Sequence, residues 1–88
     1  MDKSTDKIKI IFGKRTAIYD ASATEEGNNL TILEKGNVVW QLMDILPNDA
    51  VTYADKRDEH RLYFSTWNGL GITLNVDSLE VVEKQVVK

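Results

Sequence analysis

The chain has 88 residues, 14 acidic against 11 basic, a formal net charge of −3 and no cysteine. That length suits one domain, and the missing cysteines exclude disulfides and thiolate metal sites while fitting a reducing, cytoplasmic compartment. No basic block exceeds two residues (Lys14-Arg15, Lys56-Arg57) and no apolar run approaches a membrane span, so neither nucleic acid nor membrane is an expected partner.

Residues 1–6 are polar, lack the apolar core of an export signal and read as a disordered tail ahead of a domain over 7–84, with 85–88 as a second tail. Lys7 to Phe12 alternates charge and branched hydrocarbon, the period of a half-buried strand. Gly13 breaks it, and Arg15 to Asp20 resumes as a second strand. Residues 21–29 are small, acidic and amide-rich, a loop in which Gly27 and Asn28-Asn29 tolerate positive φ. Leu30 to Leu33 predicts a brief strand, Gly36 a turn, and Val38 to Leu46 the longest apolar segment, ended by Pro47-Asn48-Asp49. Strands follow over Ala50–Asp55 and Arg61–Thr66, separated by a charged turn at Lys56–Glu59. Asn68-Gly69 predicts a type I′ hairpin, Gly71–Leu74 pairs back, 75–78 reads as a turn, and Leu79–Glu83 as the last strand. Nothing sustains a helical apolar period, so the chain is all-β. Five to seven short antiparallel strands suggest a small barrel. Lys7 and Lys9 on the first strand and Glu80 and Glu83 on the last would complement each other if those strands paired.

Few residues carry chemistry. His60, the sole histidine, stands among Asp55, Asp58, Glu59 and three basic residues. That run matches neither a calcium loop nor a zinc spacing and reads as a solvated charged turn. No metal, cofactor or catalytic constellation is expected, and the chain is read as a non-enzyme. Trp40 sits in an apolar strand and reads as core. Trp67 precedes a hairpin tip, where an exposed ring would be a binding hot spot and a covered one would pack over the barrel end. Asp20, Glu25 and Glu26 make the second loop either a solubilising surface or a patch that steers a basic partner.

Ala17-Ile18-Tyr19-Asp20, the acidic Glu25-Glu26, Leu30-Thr31-Ile32 with Lys35-Gly36-Asn37-Val38-Val39, and Asn68-Gly69-Leu70-Gly71-Ile72 follow one another in an order that resembles Src-homology 3 (SH3) domains. They are similar to the Ala-Leu-Tyr-Asp-Tyr strand, the acidic loop, the diverging turn and the distal hairpin of that family. The likeness covers about three quarters of the chain, with 44–60 the poorest match, and bacterial and phage SH3-like domains are an equally good comparison. It implies an SH3-like barrel and a protein-interaction role. Ala21 replaces the second tyrosine, no tryptophan pair is present, and Thr73–Leu79 lacks the proline and tyrosine, so the usual proline-rich groove is not implied.

The function expected is a non-enzymatic module that binds a protein or peptide through Tyr19, Asp20, Glu25, Glu26, Trp67 and Leu70. The alternative is a small bacterial or phage accessory or inhibitor protein acting as a homo-oligomer through strand edges at 50–55 or 61–66.

Overall fold

The computed structural model of the chain describes residues 7–23 and 27–86, and they are all-β. Eight strands run in order: β1 (Lys7–Phe12), β2 (Arg15–Asp20), β3 (Leu30–Glu34), β4 (Asn37–Gln41), β5 (Val51–Asp58), β6 (Arg61–Thr66), β7 (Leu70–Asn75) and β8 (Glu80–Val86). They form two four-stranded antiparallel meanders, β1-β2-β3-β4 and β5-β6-β7-β8, that no ladder joins into a barrel. The count exceeds the five to seven strands expected. The expected tail over 1–6, together with Glu25 and Glu26, lies outside the described residues, whereas residues 85 and 86, also expected as tail, belong to β8.

The register explains why the sheets stack. Ile10, Ala17, Ile32 and Trp40 stand directly opposite one another across the first sheet, as do Leu62 and Leu74, and Phe64 and Ile72, in the second. Cross-strand partners share a face, so these rows make two apolar surfaces that must be covered. They cover each other, and the Trp40 and Phe64 rings meet at 6.0 Å, tilted by 54°. Leu30, Leu42, Val51 and Val76 complete a core in which each is fully buried.

Local chemistry sets the turns. Lys35 and Gly36 both have positive φ and close a two-residue connection between Glu34 and Asn37, the I′ geometry. At Asn68-Gly69, the turn predicted to be I′, only Gly69 has positive φ, and its N–H donates to the Thr66 carbonyl at 3.0 Å. That hairpin is therefore a type I turn finished by a left-handed glycine. The apolar run after Val38 leaves the sheet at Gln41, because Leu42–Asp44 forms a 3₁₀ turn whose Asp44 carboxylate accepts the Gln41 N–H at 3.0 Å. In the other direction, β5 continues through the predicted charged turn as far as Asp58. The Lys56 ammonium lies 5.3 Å from the Phe12 ring centroid and the Arg57 guanidinium 4.4 Å from that of Tyr63, so aromatic faces keep both charged residues in strand.

The first and last strands do not pair, contrary to expectation: among the described residues β1 bonds only β2, and β8 only β7. The free edge of β1 faces β5 instead, where Lys56 Nζ donates to the Ile11 carbonyl at 2.9 Å. Of the two edges expected to be open, residues 61–66 lie inside the second sheet between β5 and β7. The edge that is exposed throughout is β8, all seven residues of it.

This packing predicts an asymmetry between Phe64 and Val38, the first fully buried and the second with its side chain exposed on β4. Phe64→Ala is expected to destabilise the fold by about 3–5 kcal/mol and Val38→Thr by less than about 0.5 kcal/mol. Chemical denaturation measures both, and comparable losses would contradict the core assignment.

Candidate functional site

One side chain ties the sheets together at the rim where residues 28–29 and the 67–70 turn both bond to the 49–51 segment. Asn29, buried just before β3, donates through Nδ2 to the Val51 carbonyl at 2.8 Å and accepts the Val51 N–H through Oδ1 at 2.7 Å. The amide thus imitates a strand residue and supplies β5 with a ladder rung from the opposite sheet. Nδ2 also donates to the Asp20 carbonyl at 2.9 Å, while the Asp20 N–H donates to the Asn29 carbonyl at 2.9 Å. The loop is closed at its base.

Asp49 extends the brace. Its carbonyl accepts the Asn28 N–H at 3.2 Å, and its Oδ1 accepts the N–H groups of Ala50 at 2.8 Å and Asn68 at 3.2 Å. Its other carboxylate oxygen is buried and has no partner among the described residues. A Cβ on Gly27, where φ is +72°, would stand 3.1 Å from the Asp49 carbonyl oxygen, so the loop approaches this segment as closely as glycine permits. The Asn28 side chain then reaches the 3₁₀ turn, its Oδ1 accepting the Met43 N–H at 2.8 Å and its Nδ2 donating to Gln41 Oε1 at 3.1 Å. Across the rim, the Trp67 N–H donates to the Ala50 carbonyl at 2.8 Å.

The backbone of Trp67 is fixed while its side chain, 73% exposed, stands in solvent. Met43 and Ile45 add further exposed apolar surface on the 3₁₀ side of the rim. Leu70 is half-buried against the core and its N–H donates to Thr66 Oγ1 at 3.2 Å. Asp20 is half-buried and accepts from the N–H and hydroxyl of Ser22 at 3.1 and 2.7 Å. Glu25 and Glu26 fall outside the described residues.

Tyr19 is placed differently from the exposed aromatic the sequence suggested. At 5% exposure its ring belongs to the core, opposite Ile8 and Leu30. Burial, and then the neighbouring Asp20 charge, raise its phenol above the usual tyrosine range and keep it neutral. The sequence does not single out Asn28, Asn29 or Asp49 as bracing residues, because asparagine and aspartate beside glycine or proline carry the same signal whether they merely turn the chain or also bridge it.

The opposite end is ionic. A cleft of about 460 Å³ is lined by Lys14, Arg15, Glu34, Glu59, His60 and Asp77, with Phe12 and Gly13. Arg15 Nε pairs with Glu34 at 2.9 Å, and its guanidinium also donates to the Val76 and Asp77 carbonyls at 2.6 and 2.9 Å. His60 Nδ1 lies 2.6 Å from Asp77 Oδ2, with both side chains exposed. No hydroxyl-bearing side chain lines this cleft, and among the described residues no group of three or more histidines or carboxylates gathers as a metal site. The arrangement is a set of ion pairs linking turns.

Comparison of the chain with protein-family models, with curated proteins and with solved structures finds no match.

Two outcomes follow. Asn29→Ala strands the buried N–H and carbonyl of Val51, so it should destabilise by about 2–4 kcal/mol in denaturant, far more than an ordinary loop substitution. A loss below about 1 kcal/mol would mean that the bridge is dispensable. At the ionic end, the Arg15 hydrogen bond, with burial opposing it, holds Glu34 below the usual glutamate pKa. Its contribution is therefore present above the ordinary glutamate value and disappears as pH falls through the lowered one. Glu34→Gln should lower Tm at neutral pH and leave it unchanged at a pH below both values, as read by thermal melts. An equal loss at both would contradict the pairing.

Proposed function

We propose that this domain is a non-enzymatic interaction module that binds a protein or peptide partner at the rim formed by the 20–29 loop and the 67–70 turn. One observation carries the reading: Trp67 leaves its ring in solvent on a turn whose backbone is braced to the neighbouring segment. An exposed tryptophan on a fixed backbone loses little entropy when it inserts into a partner's apolar pocket, which is why that residue recurs at hot spots. The sequence of the 20–29 loop carries Asp20, Glu25 and Glu26, and that negative charge would select basic flanks. Tyr19 supports this rim from within the core and does not touch the partner.

The finer fold reading belongs to the same proposal. The order of sequence pieces supports an SH3-like ancestry, with sheets that approach along β1 and β5 and with the proline-rich groove lost. The cysteine-free composition supports a reading of cytoplasmic residence. The second reading, an accessory or inhibitor protein that works as a homo-oligomer, is favoured by the uncovered β8 edge.

Selection of a random peptide library on the folded domain tests the first reading. Peptides with an apolar anchor beside lysine or arginine should be enriched, and Trp67→Ala should weaken them at least about tenfold while Tm changes by less than about 3 °C. Equal enrichment on the Trp67→Ala protein, or a collapse of its Tm, would remove Trp67 from the site.

A further inference from the structure

The outer face of the second sheet carries two arginines whose hydrogen-bond donors the fold leaves open. Tyr63, Thr73 and Glu83 stand directly opposite one another on β6, β7 and β8, and Asp55 of β5 stands opposite Tyr63. Cross-strand partners share a face, and Leu62 and Phe64, on either side of Tyr63 in the chain, are buried in the core. The row therefore faces solvent. Arg61, two positions from Tyr63, lies on the same face opposite Asp58. The register shift between Lys56 and Asp58 leaves Arg57 as an extra residue, re-aimed over the Tyr63 ring. The result is a cleft of about 370 Å³ lined by Arg57, Arg61, Tyr63, Thr73, Glu83 and Gln85.

Arg57 is held by stacking more than by pairing. The Tyr53 hydroxyl donates to Asp55 at 3.2 Å, the Tyr53 ring lies 6.4 Å from that of Tyr63, and the Arg57 guanidinium lies 4.4 Å from the Tyr63 ring centroid. A guanidinium positioned over a ring keeps the N–H donors of its planar fork for a ligand. The neighbouring carboxylates do not use them. Asp55 is 3.9 Å from Arg57 Nε and Asp58 is 3.8 Å from Arg61 Nε, both beyond hydrogen-bond range. Arg15, by contrast, commits its donors to Glu34 and two backbone carbonyls.

Two forks with open donors call for a ligand with several acceptors. One planar fork satisfies a carboxylate, whereas the three terminal oxygens of a phosphate monoester can engage both arginines and a hydroxyl together. Its charge of about −1.5 to −2 at neutral pH also matches theirs. We propose that this cleft is a binding site for a phosphate monoester, gripped by Arg57 and Arg61, with the Thr73 hydroxyl as a further donor. Glu83 on the far wall opposes the anion and the cleft is open to water, so binding of inorganic phosphate is weak, with Kd on the order of 1 mM. The net charge of −3 matters little, because about 0.15 M salt screens exposed charges beyond about 8 Å. The cleft does not include Trp67, and either proposal can fail while the other stands.

Titration with inorganic phosphate at constant ionic strength, followed through the amide resonances of Tyr63 and Thr73, tests the site. Those resonances should shift saturably, and acetate should bind at least about tenfold more weakly than phosphate. Arg57→Gln and Arg61→Gln should each weaken phosphate at least about fivefold, and Glu83→Gln should tighten it. Lys14→Gln removes the same charge at the opposite end of the molecule and should leave the affinity unchanged. All four positions are exposed, so thermal melts should move by less than about 3 °C. Arg61→Gln disturbs no stacked ring and keeps the test valid if Arg57→Gln unfolds. A phosphoserine peptide that binds more tightly than glucose 6-phosphate assigns the group to a protein, and the reverse order to a small metabolite; both support the site. No saturation below about 50 mM phosphate, acetate as tight as phosphate, or an equal loss with Lys14→Gln would each overturn the proposal. So would a Glu83→Gln protein that binds no better.

Discussion

The fold depends on a contact that is neither apolar nor part of a strand ladder: the amide of Asn29 pairing with both backbone groups of Val51. Two meanders stacked face to face gain most of their stability from excluded water, but that force is indifferent to sliding. Orientation has to come from directional bonds. Asn29 supplies two of them between the first sheet and the start of β5, and a third to Asp20 sets where the loop leaves β2. Because these groups are buried, losing the amide leaves polar atoms with nothing to bond. The Arg15 guanidinium does comparable work at the opposite end, reaching from β2 to the carbonyls after β7, in a setting open enough for water to substitute.

That asymmetry divides the molecule. One end consists of exposed or half-exposed ion pairs, each of small energetic weight and screened by salt. The other holds buried asparagine and aspartate contacts and, above them, an uncovered tryptophan. A surface that must present a large ring in one place benefits from a backbone with few alternatives. The Asp49 and Asn28 bonds remove alternatives from both neighbouring segments. The rim is thus more than a collection of loops.

Much of the fold was legible in the sequence. β2 and β6 fall where alternation put them, because period-2 patterning and glycine punctuation are local signals. What the sequence left undetermined was pairing. Charge complementarity between Lys7 or Lys9 and Glu80 or Glu83 suggested that the termini meet, yet such exposed pairs are worth too little to decide topology against two complete apolar faces. Strand β5 outran its predicted end because Phe12, remote in sequence, and Tyr63, on the next strand, provide aromatic faces for Lys56 and Arg57. Tyr19 and Trp67 show the same limit at the candidate site. Each is an aromatic beside polar residues, and only the register, which turns Tyr19 inward opposite Leu30, separates core from surface.

Amide hydrogen exchange tests the bracing directly. The Val51 N–H is held by a side chain from the other sheet, and those of Asn28 and Trp67 by carbonyls of the intervening segment. If the rim is a fixed platform, all three should exchange on the timescale of the central strands, with Val51 as slow as Phe64. Exchange of these amides at the rate of an open loop, with Phe64 still protected, would show that the sheets stack without the bridge.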